Sequence, residues 1–118
     1  MGARLVVYGT LRRGEPRSHF LEDAQFLGPV ELQSLDLLDL GPFPGAVPGT
    51  GPLRAELYEL HDPRYLDLLD LMEGVHEDPP LYRRVPVEVG GAPAWIYLFA
   101  RDAPDARRIP GGDWTTRG

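Results

Sequence analysis

The hexapeptide Leu-Asp-Leu-Leu-Asp-Leu occurs twice in this chain, at 35–40 and at 66–71, and the fold class turns on how each copy is read. Its pattern fits both the two-residue period of a strand and the 3.6-residue period of a helix imperfectly, so the flanking residues decide. The second copy follows Asp62-Pro63, an N-cap and first-turn pair, and runs into Met72-Glu73-Gly74, where glycine stops a helix. The spacing predicts a helix over 63–73. The first copy follows Gln33-Ser34 and is cut off by Gly41-Pro42, which leaves a short strand. The same six residues are therefore expected in two structures, and the chain reads as α+β.

Around these copies the pattern is mainly that of strands. Leu5-Val6-Val7 is a short apolar, β-branched run that reads as a buried strand. It ends at Tyr8-Gly9-Thr10-Leu11-Arg12-Arg13-Gly14, where the chain must turn. Residues 15–23 are polar, with a helical turn around His19-Phe20-Leu21, and 24–30 form a modest strand or turn. The segment 41–52, Gly-Pro-Phe-Pro-Gly-Ala-Val-Pro-Gly-Thr-Gly-Pro, reads as a loop, because its prolines exclude a helix and a central strand. Phe43 and Val47 should pack that loop down over the body. Residues 53–60 alternate as a strand, with Leu53, Ala55 and Leu57 on one face. Val85, Val87 and Val89 alternate in 84–89, Gly90-Gly91 is a hairpin turn, and 94–99 return as the partner strand. Trp95, Tyr97 and Phe99 fall on one face of that strand and Ala94, Ile96 and Leu98 on the other, so it is expected to be central. The tail beyond Arg101 is irregular, anchored by Ile109 and Trp114.

Composition narrows the functions. The 118 residues suffice for a single domain over 1–118 with its own core. There is no cysteine, hence no disulfide framework, thiolate nucleophile or cysteine-bound zinc. All 12 basic residues are arginine, which excludes a lysine Schiff base, and the net charge of −6 argues against a nucleic-acid backbone as partner. His19, His61 and His76 lack metal-ligand spacing, so no metal is expected. With no membrane-length apolar run and no signal-peptide core, the expectation is a soluble, cytoplasmic protein without a membrane partner.

Two places carry candidate chemistry. A glycine and a hydroxyl residue sit in the turn after the first strand, where Gly9 permits either close approach or a positive φ and the turn exposes backbone N–H groups. The second place is Glu73. On a helical wheel, Tyr65, Leu66, Leu68, Leu69 and Met72 form an apolar arc, with Arg64, Asp67 and Asp70 opposite. Glu73 is four residues after Leu69 and seven after Leu66, so it points into the arc, at the end of the helix where the dipole disfavours negative charge. Burial and dipole both raise its pKa, as general acid–base chemistry near neutral pH requires. Two structural readings stand beside this one: a carboxylate that bends out to solvent, and an ion pair with Arg83 or Arg84. A glycosidase-like carboxylate pair would draw its second member from Glu56, Glu59 or Glu88. Gly111-Gly112-Asp113 reads as a turn rather than a phosphate cradle.

Tyr8-Gly9-Thr10-Leu11-Arg12-Arg13-Gly14 and Leu69-Asp70-Leu71-Met72-Glu73-Gly74 together resemble the γ-glutamylcyclotransferase-like family, in its γ-glutamylamine cyclotransferase and AIG2-like branches. Leu57-Tyr58-Glu59-Leu60, Tyr82-Arg83-Arg84, Ala94-Trp95-Ile96-Tyr97 and Gly112-Asp113-Trp114 extend the likeness in the right order. The resemblance implies a small mixed β-barrel with peripheral helices and a cofactor-free reaction that releases 5-oxoproline from a small γ-glutamyl amine or amino acid. It implies Glu73 as the general acid/base, and Tyr8, Gly9, Thr10, Leu11, Tyr82 and Tyr97 as substrate-binding residues. The partner is then a small γ-glutamyl molecule, and the oligomeric expectation is a monomer or weak dimer. The alternative on the same scaffold is a module that binds a small metabolite without turning it over.

Overall fold

In the computed structural model, which describes residues 2–116, the elements in chain order are β1 (Ala3–Val7), β2 (Gln25–Leu32), β3 (Leu35–Asp39), β4 (Pro44–Pro48), β5 (Leu53–Leu60), α1 (Tyr65–Met72), β6 (Tyr82–Val89), β7 (Ala92–Phe99) and β8 (Arg107–Arg108). Short 3₁₀ turns occupy Ser18–Leu21, Pro110–Gly112 and Trp114–Thr116. The expected α+β character holds. The first hexapeptide copy is β3 and the second lies in α1.

The strands form a five-stranded sheet ordered β2-β5-β1-β7-β6 and a three-stranded sheet ordered β4-β3-β8. The larger sheet is mixed: β1 runs parallel to β7, with Leu5 opposite Trp95, and antiparallel to β5, with Val7 opposite Glu56. The expected central position of the strand ending at Phe99 is observed, since β7 lies between β1 and β6. Gly90 and Gly91 close the β6–β7 hairpin with φ of 59° and 81°, the paired positive values of a two-residue turn.

The two sheets do not close into a barrel, which corrects the architecture implied by the resemblance. Tyrosine hydroxyls join them in place of ladder bonds. The Tyr8 hydroxyl donates to the Tyr97 carbonyl at 2.6 Å and accepts the Ala46 N–H at 3.1 Å. The Tyr82 hydroxyl donates to the Pro44 carbonyl. The segment expected to be entirely loop thus contains a strand, β4, whose edge position tolerates the prolines at its two ends.

Alternation along the central strands divides the core between the two faces of the large sheet. Val6, Leu53, Ala55, Leu57, Ala94 and Ile96 face the small sheet, where Leu37, Ala46 and the anchors Ile109 and Trp114 complete the packing. Leu5, Val7, Tyr58, Leu60, Tyr82 and Tyr97 face α1, which contributes Leu66 and Leu69. The helix starts later than expected. Asp62 does accept the Arg64 N–H at 2.9 Å, but residues 62–67 close with i→i+3 bonds before the α-helix begins. It stops where expected: Gly74, at φ 67°, bonds the Leu71 carbonyl, and Val75 bonds the Asp70 carbonyl. That pair of bonds is a Schellman motif, and it leaves Glu73 as the residue that closes the helix. Among the described residues no helix is long and apolar enough to cross a membrane.

Candidate active site

β1 ends in the middle of the large sheet, so whatever follows Val7 is placed by a rigid neighbourhood. The chain turns at once, with the Arg12 N–H on the Gly9 carbonyl at 3.0 Å. The central residues of that turn, Thr10 and Leu11, have N–H groups with no backbone acceptor among the described residues. Glu56, beside Val7 on β5, holds the turn from below. One carboxylate oxygen accepts the Arg13 N–H at 2.9 Å and the other accepts from the Arg12 guanidinium at 3.3 Å. Arg12 in turn reaches Asp113 at 2.9 Å, which ties the C-terminal Gly112-Asp113-Trp114 to the loop. Gly9 is needed for close approach, not for a positive φ: a Cβ there would lie 2.6 Å from Cγ of Pro44.

Glu73 lies on the buried side of α1, and only 8% of it is exposed. Burial raises the pKa of its carboxyl, and the nearby Arg17 guanidinium, at 3.3 Å, only partly counters that. The expected alternative partners are not used: Arg84 pairs with Asp70, and Arg83 is exposed. The wheel needs one revision. Asp70, expected on the solvent side, is 5% exposed, whereas Leu68 and Leu71 are 44% and 66% exposed. Asp70 is four residues after Leu66, so it shares the buried stripe with Leu66, Leu69 and Glu73. Burial works against its charge, but two bonds from Arg84, at 2.8 and 3.0 Å, and one from the Tyr97 hydroxyl at 2.7 Å hold its pKa below the ordinary value.

Residues Gly9, Thr10 and Leu11 of the turn and Glu73 line one cavity of about 180 Å³. Tyr8, Gly9, Thr10, Leu11, Glu73, Tyr82 and Tyr97 all line it, as do Arg17, Phe43, Pro44, Met72 and Leu81. The three tyrosines present rings to the cavity while their hydroxyls serve protein acceptors: Tyr8 and Tyr82 as described, and Tyr97 on Asp70. Burial pushes all three phenols up, so they stay neutral. The lining is thus mostly apolar, with one carboxyl, one guanidinium, the Thr10 hydroxyl and the N–H groups of the turn as its available polar groups.

Sequence reasoning did not find Arg17, which lay in a segment read only as polar, or the clamp of Glu56 and Asp113 on Arg12. Position in the loop motif was the one signal for Arg12, and nothing local marks Arg17. The carboxylate-pair reading receives no geometric support. Glu56 is committed to the loop, Glu59 pairs with Arg4, Glu88 is exposed, and none of the three lines the cavity. Among the described residues no group of three His, Asp or Glu is arranged to hold a metal. Gly111 and Gly112 form a tight turn with φ of 82° and 67°.

Comparison with known proteins gives concordant results. A sequence profile described as gamma-glutamyl cyclotransferase, AIG2-like, matches residues 5–116. The gamma-glutamylcyclotransferase family protein YtfP of Escherichia coli strain K12 is 33% identical over 114 residues, covering 97% of each chain. A crystal structure of a Pyrococcus horikoshii protein superposes with a TM-score of 0.80 at 32% identity, covering 95% of this chain and 89% of that one. An AIG2-like protein from Mus musculus superposes with a TM-score of 0.74 at 28% identity, over 99% of this chain and 84% of that one.

Proposed function

Because the chain belongs to the gamma-glutamyl cyclotransferase, AIG2-like family, we propose that it converts a small γ-glutamyl amine or γ-glutamyl amino acid into 5-oxoproline and the free amine, with Glu73 as general acid and base. A γ-glutamyl compound holds its nucleophile, the α-amine, a few bonds from its electrophile, the γ-carbonyl. Confining both ends in a small cavity makes the attack an intramolecular, pre-oriented step. Glu73 takes a proton from the α-ammonium, freeing the lone pair that attacks the γ-carbon. The N–H groups of Thr10 and Leu11 then face the oxyanion that develops. Glu73 delivers its proton to the leaving nitrogen as the old C–N bond breaks, and takes a second from the attacking nitrogen on the same route. Of the three ammonium protons, one ends on the lactam nitrogen and two on the leaving amine. The step balances without water, oxidant or reductant.

The observation that carries this reading is a buried carboxyl with a raised pKa, lining the same cavity as a turn with spare N–H groups. A carboxyl whose pKa is raised holds a proton more firmly than an ordinary one and is suited to take a proton and pass it on. The test is release of 5-oxoproline, followed by mass spectrometry, from a panel of γ-glutamyl amines and γ-glutamyl amino acids. Product from at least one is expected; none from the whole panel with folded protein would overturn the proposal.

A further inference from the structure

We propose that Arg17 receives the α-carboxylate of the substrate and, in doing so, lets go of Glu73. This rests on the cyclotransferase reading for the identity of the substrate, but it begins from a separate observation. Arg17 is the one cationic side chain among the residues that line the cavity. Its guanidinium stands 3.3 Å from the Glu73 carboxylate, with the Arg17 side chain 32% exposed and the Glu73 side chain 11%. A positive group at the mouth is thus held beside a negative group at the floor. An α-amino acid head carries an ammonium and a carboxylate on one carbon, which is the same pair with the signs exchanged. Seated between them, it replaces one ion pair by two.

The surrounding groups leave few other places for that carboxylate. The hydroxyls of Tyr8, Tyr82 and Tyr97 already donate to the Tyr97 carbonyl, the Pro44 carbonyl and Asp70. What remains is Arg17, the Thr10 hydroxyl and the free N–H groups of the turn, and the turn is needed for the oxyanion. The backbone of Arg17 is pinned to the same turn, its N–H on the Thr10 carbonyl at 2.9 Å. The guanidinium can therefore exchange partners without moving the wall that carries it. Glu73, which faces Arg17 from the loop, Tyr8 from the end of β1, Tyr82 from β6 and Tyr97 from β7, then exchanges the Arg17 guanidinium for the substrate's own ammonium, a cation that can give up its proton. Binding of the carboxylate thus turns Glu73 from a fixed cation to a proton donor, and when the bound molecule carries no ammonium, as in the lactam product, it leaves Glu73 a stronger base.

The product retains the α-carboxylate, so recognition can be measured without turnover. Binding of 5-oxoproline and of 5-oxoprolinamide to the full chain is compared by calorimetry for wild type, Arg17→Gln and Arg17→Lys. Wild type is expected to prefer the acid by about 10- to 100-fold, the scale of a charge-assisted hydrogen bond. Arg17→Gln should abolish the preference, and Arg17→Lys should restore part of it. In carbon-13 titrations the Glu73 carboxyl should move upward when wild type binds 5-oxoproline, and should start higher in ligand-free Arg17→Gln. Equal preference for the acid in wild type and Arg17→Gln would overturn the inference, as would wild type binding neither lactam. Arg17-dependent binding without 5-oxoproline release from any γ-glutamyl compound would sink the cyclotransferase proposal and leave carboxylate recognition standing. Turnover with an Arg17-independent preference would do the reverse.

Discussion

Asp70 and Glu73 are two carboxylates three residues apart on the buried side of one helix, and their surroundings pull them in opposite directions. Asp70 receives three hydrogen bonds on its two oxygens, from Arg84 and Tyr97, and its pKa is lowered in spite of burial. Arg84 is itself braced, its guanidinium 4.5 Å over the Trp95 ring. Among the described residues Glu73 has a single, longer ion pair, with a side chain at the cavity, and its pKa is raised. Both are nearly closed to solvent, but Glu73 is the more deeply desolvated and has the fewer and longer partners. One carboxylate is bound into the framework, and the other, with one longer partner, is the one proposed to transfer protons. The framework carboxylate also fixes Tyr97, one of the rings around the other, so the two roles are connected through the cavity wall.

The comparison can be broken at its functional end first. Glu73→Gln keeps the shape and removes the proposed proton carrier, so on the proposed reaction 5-oxoproline release should fall by roughly 10²- to 10⁴-fold, measured as kcat/KM on a γ-glutamyl substrate. Its counterpart, Asp70→Asn, should act mainly on stability. It leaves Arg84 without its carboxylate, and urea unfolding should show a loss of about 3 kcal/mol, the low end for a broken buried pair because Arg84 is partly exposed. Gly9→Ala forces a methyl group against Pro44 and should cost about 1–3 kcal/mol by the same measurement, together with a weaker substrate KM. The smallest effect is expected from Tyr82→Phe. It removes one buried hydroxyl from the Pro44 carbonyl, costs about 1 kcal/mol, and leaves the ring in place to line the cavity.

The pH dependence should separate the pair by sign. Asp70 has a lowered folded pKa, so its contribution is present above the unfolded value of about 3.9 and disappears as pH falls through the folded one. Glu73 has a raised folded pKa, so the folded state binds its proton more firmly than the unfolded chain does. Stability is then lost as pH rises from the unfolded value of about 4.3 through the folded one. Wild type and Glu73→Gln should therefore match near pH 4 and diverge at higher pH, with the variant the more stable.

Much of this was legible in the sequence because it depends on local pattern. The hexapeptide resolved correctly into strand and helix from its flanking proline and glycine residues, although the N-cap of α1 is Arg64 and not the expected Asp62. The β6–β7 hairpin followed from Gly90-Gly91, and the inward direction of Glu73 from its spacing after Leu66 and Leu69. What was missed depends on distant partners. Asp70 is buried because Arg84 and Tyr97, 14 and 27 residues away, come to meet it. No local pattern announces such a pairing, and an acidic residue flanked by leucines reads as a solvent-facing break in a stripe. Likewise Glu56 looked like a spare carboxylate until β5 placed it under the loop carrying Arg12 and Arg13. The prolines of 41–52 hid β4, because the tyrosine hydroxyls that bind it to the large sheet are 38 residues away on each side.

The contrast between the two carboxylates can be read in one sample. A carbon-13 titration of the side-chain carboxyls of wild type, with Glu73→Gln and Asp70→Asn used to assign the two signals, reports both protonation midpoints. Glu73 should titrate above the ordinary glutamate value of about 4.3 and Asp70 below the ordinary aspartate value of about 3.9. A Glu73 midpoint at or below the ordinary value would contradict the account, because the carboxyl would then be held as an ion like its neighbour and would not be poised to carry a proton.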